Sequence, residues 1–339
     1  MKYSKEEVIQ YTQEEDVKFI RLAFCDVFGR QKNISVMPDE LPRAFEHGIA
    51  IDASAIAGFG DGSHSDLLLH PEPDTLMPLP WRPEHGRVMQ MFSTITYPDG
   101  TPFEYDTRQL LEKTVADAEK AGFEFTFGAE QEFYLYLLDE EGKPTTNPCD
   151  EAGYMDIAPE DRGENVRREI CLTLDSMGIR PESSHHEVGP GQNEISLYHC
   201  DALRAADNAQ TFRRVIKLVA DRNGLYAAFS QKPAKNLPEN TFGINMSVAP
   251  FDDETFKGLS DGINKNAKAI MNFLNPDAGS RLPKVHSRHI NICAKSNVNP
   301  YLAYTLLICA ALDGIEGKAA SKSFVKDHIP EKILAACGK

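Results

Sequence analysis

The spacing of hydrophobic and polar residues changes repeatedly along the chain and predicts strands that alternate with long helices. Residues 17–25, VKFIRLAFC, and 31–37, QKNISVM, are rich in strand-forming side chains and flank a short turn, so they predict a hairpin. The remaining elements follow from period-two alternation or helical spacing; they are strands at 123–137, 183–188, 225–230 and 243–249 and helices at 106–122, 164–177, 202–222 and 299–318.

Capping residues mark the ends of the first long helix. Asp106 precedes it, with Gln109 three residues later as in a capping box, and Gly122 is suited to end it. The chain up to about Tyr97 is rich in β-forming residues, and the stretch PDGTPFEYD at 98–106 resembles a linker. Because the strands and helices follow no regular β–α–β order, the sequence predicts an α+β fold.

The predicted strand at 123–137 carries Glu130 and Glu132 on one face. Alternation places the phenylalanines on the face that suits a core and leaves the two glutamates roughly 7 Å apart on the other. Parallel carboxylates repel each other, and this face has no Lys or Arg between them. Either the face is solvated, or a hard divalent cation such as Mg²⁺ or Mn²⁺ binds the carboxylates.

A second acidic cluster lies in ESSHHEVGPGQNEI, residues 182–195. In an extended chain His185 and Glu187 share one face, and the histidine between them takes the other. The Gly-Pro-Gly turn that follows is suited to fold the chain back and to bring Glu194 near Glu187. Histidine pairs are also common as ordinary core or surface residues, so the cluster indicates a cation site only together with the first one.

Composition narrows the classes of partner. The formal net charge of −15 argues against a nucleic-acid groove or an anionic membrane surface as the main partner. No apolar run reaches membrane-spanning length, and the polar N-terminus lacks the apolar core of a signal peptide. The seven cysteines are scattered and never spaced CxxC, which is typical of a reducing compartment. We therefore expect a cytoplasmic protein.

Taken together, these segments resemble the glutamine synthetase family. GAEQEF at 128–133 is similar to the family's first metal-ligand strand, and HHEVGPGQNEI at 185–195 closely matches its HHE…GQ-x-E segment. The helix that begins with NPYLA at 299–303 resembles another family segment. The resemblance spans most of residues 15–318 and is most specific in the HHE segment.

The resemblance implies an architecture and a reaction. It implies an N-terminal β-grasp domain at 14–98 and a glutamine synthetase/guanidino-kinase-like catalytic domain at 103–339. It also implies ATP, two or three Mg²⁺ or Mn²⁺ ions, and homo-oligomeric rings with active sites between subunits. In the family's reaction the side-chain carboxylate of glutamate is phosphorylated by ATP, and ammonia then displaces phosphate to give glutamine.

Matching the family's motifs residue by residue assigns roles to single positions. By this resemblance Glu132, Glu187 and Glu194 bind one cation, and Glu130 binds the cation associated with ATP. The other roles that it implies are His185 near the phosphoryl and glutamate groups, Glu182 on the nucleotide side, Asn240 and Gly243 in the substrate loop, and Asp52 binding and deprotonating ammonium in a neighbouring subunit's site.

The chain departs from the family pattern in the loop NTFGINMS, residues 240–247. Thr241 and Phe242 replace two loop glycines. Asn245 replaces a histidine that binds the ATP-side cation, and Ser247 replaces a histidine on the nucleotide side. An amide oxygen remains a ligand for hard cations, although a weaker one.

The larger departure lies between Ala267 and Asn299. Ser280–Leu282 echoes one family element, and HINIC at 289–293 echoes another. Asn291 stands there in place of a metal-binding glutamate, and Cys293 stands in place of an arginine. The sequence contains no counterpart of the family's flap loop or arginine cluster, whose residues stabilise a transferred phosphoryl group.

Two hypotheses about function follow, and a third has less support. The chain is an ATP-dependent carboxylate–amine ligase, as the retained carboxylates and His185 indicate. Alternatively it is a catalytically impaired paralogue that binds a metal or small molecule, or assembles with a true synthetase, as the missing arginines and Asn245 indicate. The third hypothesis is a different phosphotransferase on the related guanidino-kinase-like scaffold. It has less support because the sequence offers no arginine-rich phosphate clamp.

Overall fold

The computed structural model of the chain describes residues 3–59, 66–81, 86–230, 237–276 and 282–338. Contacts divide the chain into two compact units, one formed by Met1–Lys113 with Lys326–Lys339 and the other by Thr114–Val325. Each unit contains its own β-sheet. No helix of the described residues is long and apolar enough to cross a membrane.

The sheet of the first unit confirms the predicted hairpin. Its strands are β1 (Val17–Cys25), β2 (Gln31–Val36), β3 (Ile49–Asp52), β4 (Asp66–Pro71), β5 (Met77–Pro78) and β6 (Arg87–Thr96). They lie in the order β2-β1-β6-β4-β3, with β5 beside β6. β1 is antiparallel to β2 and parallel to β6, and Ile20 and Leu22 of β1 are completely buried in the core of this unit.

The sheet of the second unit is antiparallel and is organised around one long strand. Its strands are β7 (Glu124–Leu138), β8 (Pro144–Pro148), β9 (Pro181–His186), β10 (Gln192–Asp201), β11 (Leu225–Ala228), β12 (Thr241–Ala249), β13 (Lys284–Val285) and β14 (Ile290–Lys295). Their order is β13-β14-β12-β7-β10-β9, and β8 and β11 pair with the far end of β7. β7 therefore lies between β12, which carries Gly243, and β10, which carries Glu194.

The predicted long helices are present. The helices of the described residues are α1 (Lys5–Glu14), α2 (Leu41–His47), α3 (Thr107–Lys120), α4 (Glu164–Ser176), α5 (Ala202–Arg222), α6 (Asp253–Leu274), α7 (Pro300–Ile315), α8 (Phe324–His328) and α9 (Glu331–Ala336). At the start of α3, Asp106 accepts hydrogen bonds from the backbone N–H groups of Arg108 and Gln109, as its capping role predicts. α7 is buried on nearly all sides, also as predicted.

The sequence analysis did not include α6. Its start is nevertheless marked by Asp252, whose side chain accepts a hydrogen bond of 2.7 Å from the backbone N–H of Thr255. Leu259, Ile263 and Ile270 are completely buried along one side at helical spacing. The cap and the periodicity were both available in the sequence.

The C-terminal residues Lys326–Lys339 group with the first unit, whereas the sequence analysis placed them in the catalytic domain at 103–339. In this segment α9 buries Ile333 and Leu334. Lys332 also forms an ion pair of 2.6 Å with Glu104 of the same unit. Cys337 Sγ also lies 3.7 Å from the carbonyl oxygen of Val27, so polar contacts join this segment to the first unit.

The two faces of β7 largely follow the predicted alternation. Phe125, Phe127 and Phe133 are buried in the core. Leu137 shares this face by alternation, but it is 42% exposed because it lies near the end of β7 beside the exposed strand β8. On the glutamate face, Tyr134 is buried and stacks on a second tyrosine two residues later, so this face is apolar beyond Glu132.

Glycines allow α6 and α7 to pack with their backbones in contact. A Cβ atom added to Gly262 of α6 would lie 2.0 Å from the carbonyl oxygen of Ala310, and one added to Gly314 of α7 would lie 2.1 Å from the carbonyl oxygen of Gly258. Backbone atoms cannot move aside as a flexible side chain does. The separation of these two helices therefore depends on both positions remaining glycine.

We expect Gly262→Ala to lower the free energy of unfolding by roughly 2 kcal/mol, because the helices must separate to admit the methyl group. This loss exceeds the gain of about 1 kcal/mol that alanine brings to a helix interior. Urea unfolding followed by circular dichroism measures the change. Asn264→Ala, at an exposed position of the same helix, is the matched control and should be neutral or slightly stabilising. An equally stable Gly262→Ala variant would contradict the close packing.

Candidate functional site

The register of three neighbouring strands brings the predicted acidic residues together. Glu132 of β7 lies opposite Glu194 of β10, and Glu194 in turn lies opposite His185 of β9. In an antiparallel sheet, directly opposed residues point to the same face. One line across the sheet therefore carries these three side chains.

His185, Glu187 and Glu194 form a compact cluster in which one ligand atom of each lies within 4.8 Å of the others. The His185 Nε2 and Glu187 Oε1 atoms are 3.3 Å apart. All three residues are partly buried. The geometry confirms that His185 and Glu187 share a face and that Glu194 returns close to Glu187.

The Gly-Pro-Gly turn produces this return. The backbone N–H of Gln192 donates a hydrogen bond of 2.8 Å to the carbonyl oxygen of Gly189, and that of Glu187 donates one of 2.8 Å to the carbonyl oxygen of Gln192. Gly191 adopts a φ of +66°, a conformation that glycine adopts without strain. β9 and β10 are thereby closed into a hairpin.

Glu194 shows how crowded with negative charge the site is. Burial, together with the nearby carboxylates of Glu130, Glu132 and Glu187, raises the pKa of Glu194 to about 8. A carboxyl group in such surroundings is ionised readily only when a cation compensates the charge. The cluster therefore has the electrostatic character of a divalent-cation site.

Glu132, expected beside Glu187 and Glu194, makes different contacts. Its Oε2 atom accepts a hydrogen bond of 2.7 Å from the backbone N–H of Thr241, and its Oε1 atom accepts one of 2.8 Å from the Thr241 hydroxyl. Gln192 Nε2 adds a longer contact of 3.4 Å to Oε2. Among the described residues, the 4.8 Å cluster around Glu187 does not include Glu132.

Glu130 is held by amides. Asn245 Nδ2 donates to Glu130 Oε1 at 2.7 Å, and Asn291 Nδ2 lies 3.4 Å from Glu130 Oε2 and 2.9 Å from Asn245 Oδ1. Gly243, opposite Glu130, leaves the space for this arrangement, since a Cβ there would lie 2.4 Å from Glu130 Oε2. In this arrangement Glu130 accepts hydrogen bonds from two amide nitrogens, and a cation beside it would require the amide oxygens to face it instead.

The remaining predicted residues lie in different surroundings. Asn240 is completely buried, and its Nδ2 atom donates to the carbonyl oxygens of Ala228 and Ser230. Glu182 is an exposed residue of β9. Asp52 lies at the end of β3 in the first unit, where hydrogen bonds from the side chain and backbone of Ser54 lower its pKa.

Behind the cluster, His186 anchors the HHE segment to the protein interior. Its Nδ1 atom lies 2.7 Å from the carbonyl oxygen of Glu187, and its Nε2 atom lies 3.0 Å from Asp150 Oδ1. These two contacts hold the ring between the turn and the buried carboxylate. Burial alone would raise the pKa of Asp150, but hydrogen bonds from Gly191 and His186 bring it below its ordinary value.

A buried ion pair completes this support. The Arg167 guanidinium contacts both carboxylate oxygens of Asp161, and it also donates to Asn193 of β10. Ligand atoms of Asp150, Asp161 and His186 also lie within 4.8 Å of one another. Because Arg167, His186 and backbone N–H groups already satisfy these carboxylates, we interpret this group as structural.

Two residues of the site were not expected from the sequence. Tyr154 packs the edge of its ring against His185, with ring centroids 5.4 Å apart, although its side chain is 54% exposed. The backbone N–H of the next residue, Met155, donates to the carbonyl oxygen of His186, which fixes this loop beside the cluster. The sequence analysis noted Thr241 only because it stands where the family loop has a glycine. Its bonds to Glu132 depend on strand register, which no local motif reveals.

The structure describes only part of the segment between Ala267 and Asn299, where the sequence departs from the family pattern. Ser280 and Arg281 lie outside the described residues. HINIC forms most of β14, and Asn291 lies directly opposite Asn245 in the sheet. Cys293 Sγ is 3.6 Å from Asn291 Oδ1, so it extends the amide network.

Comparisons with known proteins agree with this architecture. The model of the glutamine synthetase catalytic domain matches residues 104–283, and that of the glutamine synthetase β-grasp domain matches residues 16–98. These matches confirm the predicted order of the two domains.

Similar proteins match over nearly the whole chain. A glutamine synthetase of Clostridium saccharobutylicum is 37% identical over 369 residues, covering 97% of this chain and 83% of the relative. One of Staphylococcus aureus is 35% identical over 371 residues, with the same coverage of both chains. A solved structure of a GmaS/ADP complex superposes with a TM-score of 0.82 at 23% identity, covering 98% of this chain and 90% of the other. At that identity it supports the fold alone.

We expect Arg167→Met to lower the free energy of unfolding by roughly 3–5 kcal/mol, because it leaves the Asp161 carboxylate buried without its partner. Chemical denaturation measures the loss. Arg222→Met is the matched control, since Arg222 is exposed and lies 3.7 Å from Glu169. It should change stability by less than about 1 kcal/mol. Equal effects of the two changes would contradict the structural role of Arg167.

We expect Glu194→Gln to stabilise the metal-free protein increasingly as the pH rises. The pKa of Glu194 is about 8 in the folded protein, against an ordinary value of 4.5, so the folded state holds a proton that the unfolded state has released. Stability from this group is therefore present at low pH and is lost as pH rises through about 8.

Thermal unfolding in chelator at about pH 5 and about pH 9 tests this expectation. From the lower to the higher pH, the free energy of unfolding of the Gln variant should rise by at least about 1 kcal/mol relative to that of the wild type. Mn²⁺ should stabilise the wild type more than the variant. A pH-independent difference between the two proteins would contradict the charge crowding.

Proposed function

The chain belongs to the glutamine synthetase family, and from this premise we propose that it is a metal- and ATP-dependent ligase that joins a carboxylate substrate to an amine. The observation that carries the proposal is the convergence of His185, Glu187 and Glu194 in the hairpin of β9 and β10. By resemblance to the family, the carboxylate substrate is glutamate and the amine is ammonia.

The retained residues support particular roles in this reaction. Glu187 and Glu194 are placed to hold Mg²⁺ or Mn²⁺, which when bound would neutralise charge on the transferred phosphoryl group. His185 presents its Nε2 atom to the same space and is oriented by Tyr154. It is therefore placed to hydrogen-bond an anionic substrate group. All three residues are partly buried, which limits the water around their side chains.

The family resemblance is the basis on which we propose a homo-oligomer. The Asp52 carboxylate is exposed, and hydrogen bonds from Ser54 lower its pKa, which favours the anionic form. An exposed anion is suited to bind ammonium. In the proposed assembly Asp52 serves the site of a neighbouring subunit, as the family resemblance implies.

A second candidate is a catalytically impaired paralogue that binds a cation or small molecule, alone or together with a true synthetase. The hydrogen bonds from Asn245 and Asn291 to Glu130 favour it, since the ATP-side cation position presents donors rather than ligands. The absence of the family's arginine cluster from the sequence supports the same candidate. The location proposed under either candidate is the cytoplasm, in keeping with seven free cysteines.

Phosphate release from ATP, measured with Mg²⁺ or Mn²⁺, glutamate and ammonium, tests the proposal. We expect turnover that requires all components and that falls at least about 100-fold in Glu187→Ala. Glu169→Ala, at a partly exposed position of α4 where the side chain pairs with Arg222, is the control and should retain wild-type turnover. Absence of phosphate release, combined with Mn²⁺ binding that Glu187→Ala removes, would overturn the ligase and support the paralogue.

A further inference from the structure

We propose that Tyr134 is a positioning residue for the carboxylate substrate. Its hydroxyl joins the turn 187–192 to the segment 237–240 and thereby fixes the distance between the carboxylates around Glu187 and the loop at Asn240. The inference rests on the cation site of the proposed function and on the substrate loop that the family resemblance implies. It adds how this chain sets the length of the substrate that fits.

The Tyr134 hydroxyl lies between two segments of the chain. Tyr134 is completely buried on the glutamate face of β7, two residues after Glu132. Its hydroxyl donates a hydrogen bond of 2.9 Å to the carbonyl oxygen of Pro238. Since Pro238 is only two residues from Asn240, this bond fixes the place at which the chain enters β12.

The turn meets the same hydroxyl from the other side. A Cβ atom added to Gly189 would lie 2.4 Å from Tyr134 Oη and 3.0 Å from the Cδ atom of Pro238. The φ of Gly189 lies outside the left-handed region, so its backbone does not require glycine. Space alone therefore excludes a side chain at this position, and the tyrosine hydroxyl occupies that space.

Gln192 forms a second link between the turn and the segment 237–240. Its buried side chain accepts the backbone N–H of Gly189 at 3.0 Å. Its Nε2 atom lies 3.3 Å from both the Glu239 carbonyl oxygen and Asn240 Oδ1, and 3.4 Å from Glu132 Oε2. Two N–H groups thus face three acceptors, which explains why these contacts are long. The single, shorter bond of the tyrosine is the stronger link.

Both ends of the space are therefore held. The backbone N–H of Glu187 donates a bond of 2.8 Å to the carbonyl oxygen of Gln192, and the Asn240 amide donates to two carbonyl oxygens. A substrate that binds the cation by one carboxylate and the loop by its other end must match this separation. Because aspartate is one methylene group shorter than glutamate, a fixed separation favours one of the two.

Isothermal titration calorimetry of the full chain with glutamate, in saturating Mn²⁺, tests this role. We expect Gly189→Ala to raise the Kd for glutamate roughly tenfold or more, because the methyl group strikes the hydroxyl and pushes the two segments apart. Tyr134→Phe loses only the bond to Pro238 and should raise this Kd by roughly threefold. The double variant should return to within about threefold of the wild type, since the methyl group then takes the place of the hydroxyl.

The recovery in the double variant separates positioning from a general loss of stability. Two changes that act independently on folding add, whereas two changes that act on one shared space offset each other. Gly153→Ala is the matched control, because its added Cβ would meet no atom closer than Asp156 Oδ2 at 3.6 Å. It should leave the Kd for glutamate unchanged. The ratio of the Kd for aspartate to that for glutamate should fall in Gly189→Ala and recover in the double variant.

The results that would overturn the inference differ from those that would overturn the proposed function. An unchanged Kd in a folded Gly189→Ala variant, or a double variant that binds as weakly as Gly189→Ala, would remove the role of Tyr134 and leave the ligase proposal intact. If Gly189→Ala does not fold, a folded double variant with nearly wild-type Kd supports the shared space, and an unfolded one overturns it. A wild type that binds Mn²⁺ but no glutamate would remove both the substrate and its positioning residue.

Discussion

Repulsion among half-buried carboxylates is the constraint on which this site depends. Glu130, Glu132, Glu187 and Glu194 all lie near one another on the face of a single sheet, and the raised pKa of Glu194 expresses the resulting free-energy cost. Each carboxylate must be hydrogen-bonded, protonated or bound to a cation. Asparagine amides donate hydrogen bonds to Glu130, and Thr241 donates hydrogen bonds to Glu132. Glu187 and Glu194 lie beside His185.

The surrounding architecture serves this arrangement by fixing strand register. A shift of one residue would turn every glutamate on β7 into the core and bring phenylalanines to the site. The hairpin of β9 and β10 is held from behind by His186 on Asp150 and by Arg167 on Asp161. These buried, hydrogen-bonded charges thus fix the position of the partly buried residues His185, Glu187 and Glu194.

Much of this could be predicted from the sequence, because local periodicity carries it. The alternation in β7 placed Glu130 on the non-core face, and the Gly-Pro-Gly turn predicted the return of Glu194. The helix α6 was equally predictable from its cap and its hydrophobic spacing, although the sequence analysis did not include it. The hydrogen bonds from Thr241 to Glu132 could not be predicted in this way. Thr241 is more than a hundred residues away along the chain and reaches Glu132 only through the pairing of β12 with β7.

The glycine opposite Glu130 has a consequence for the space available on this face of the sheet. A Cβ atom at position 243 would lie 2.4 Å from Glu130 Oε2, and the Asn245 amide contacts the other oxygen of the same carboxylate. The size of the residue at position 243 therefore controls where the Glu130 carboxylate can lie, and a single added methyl group would displace the charge without altering it.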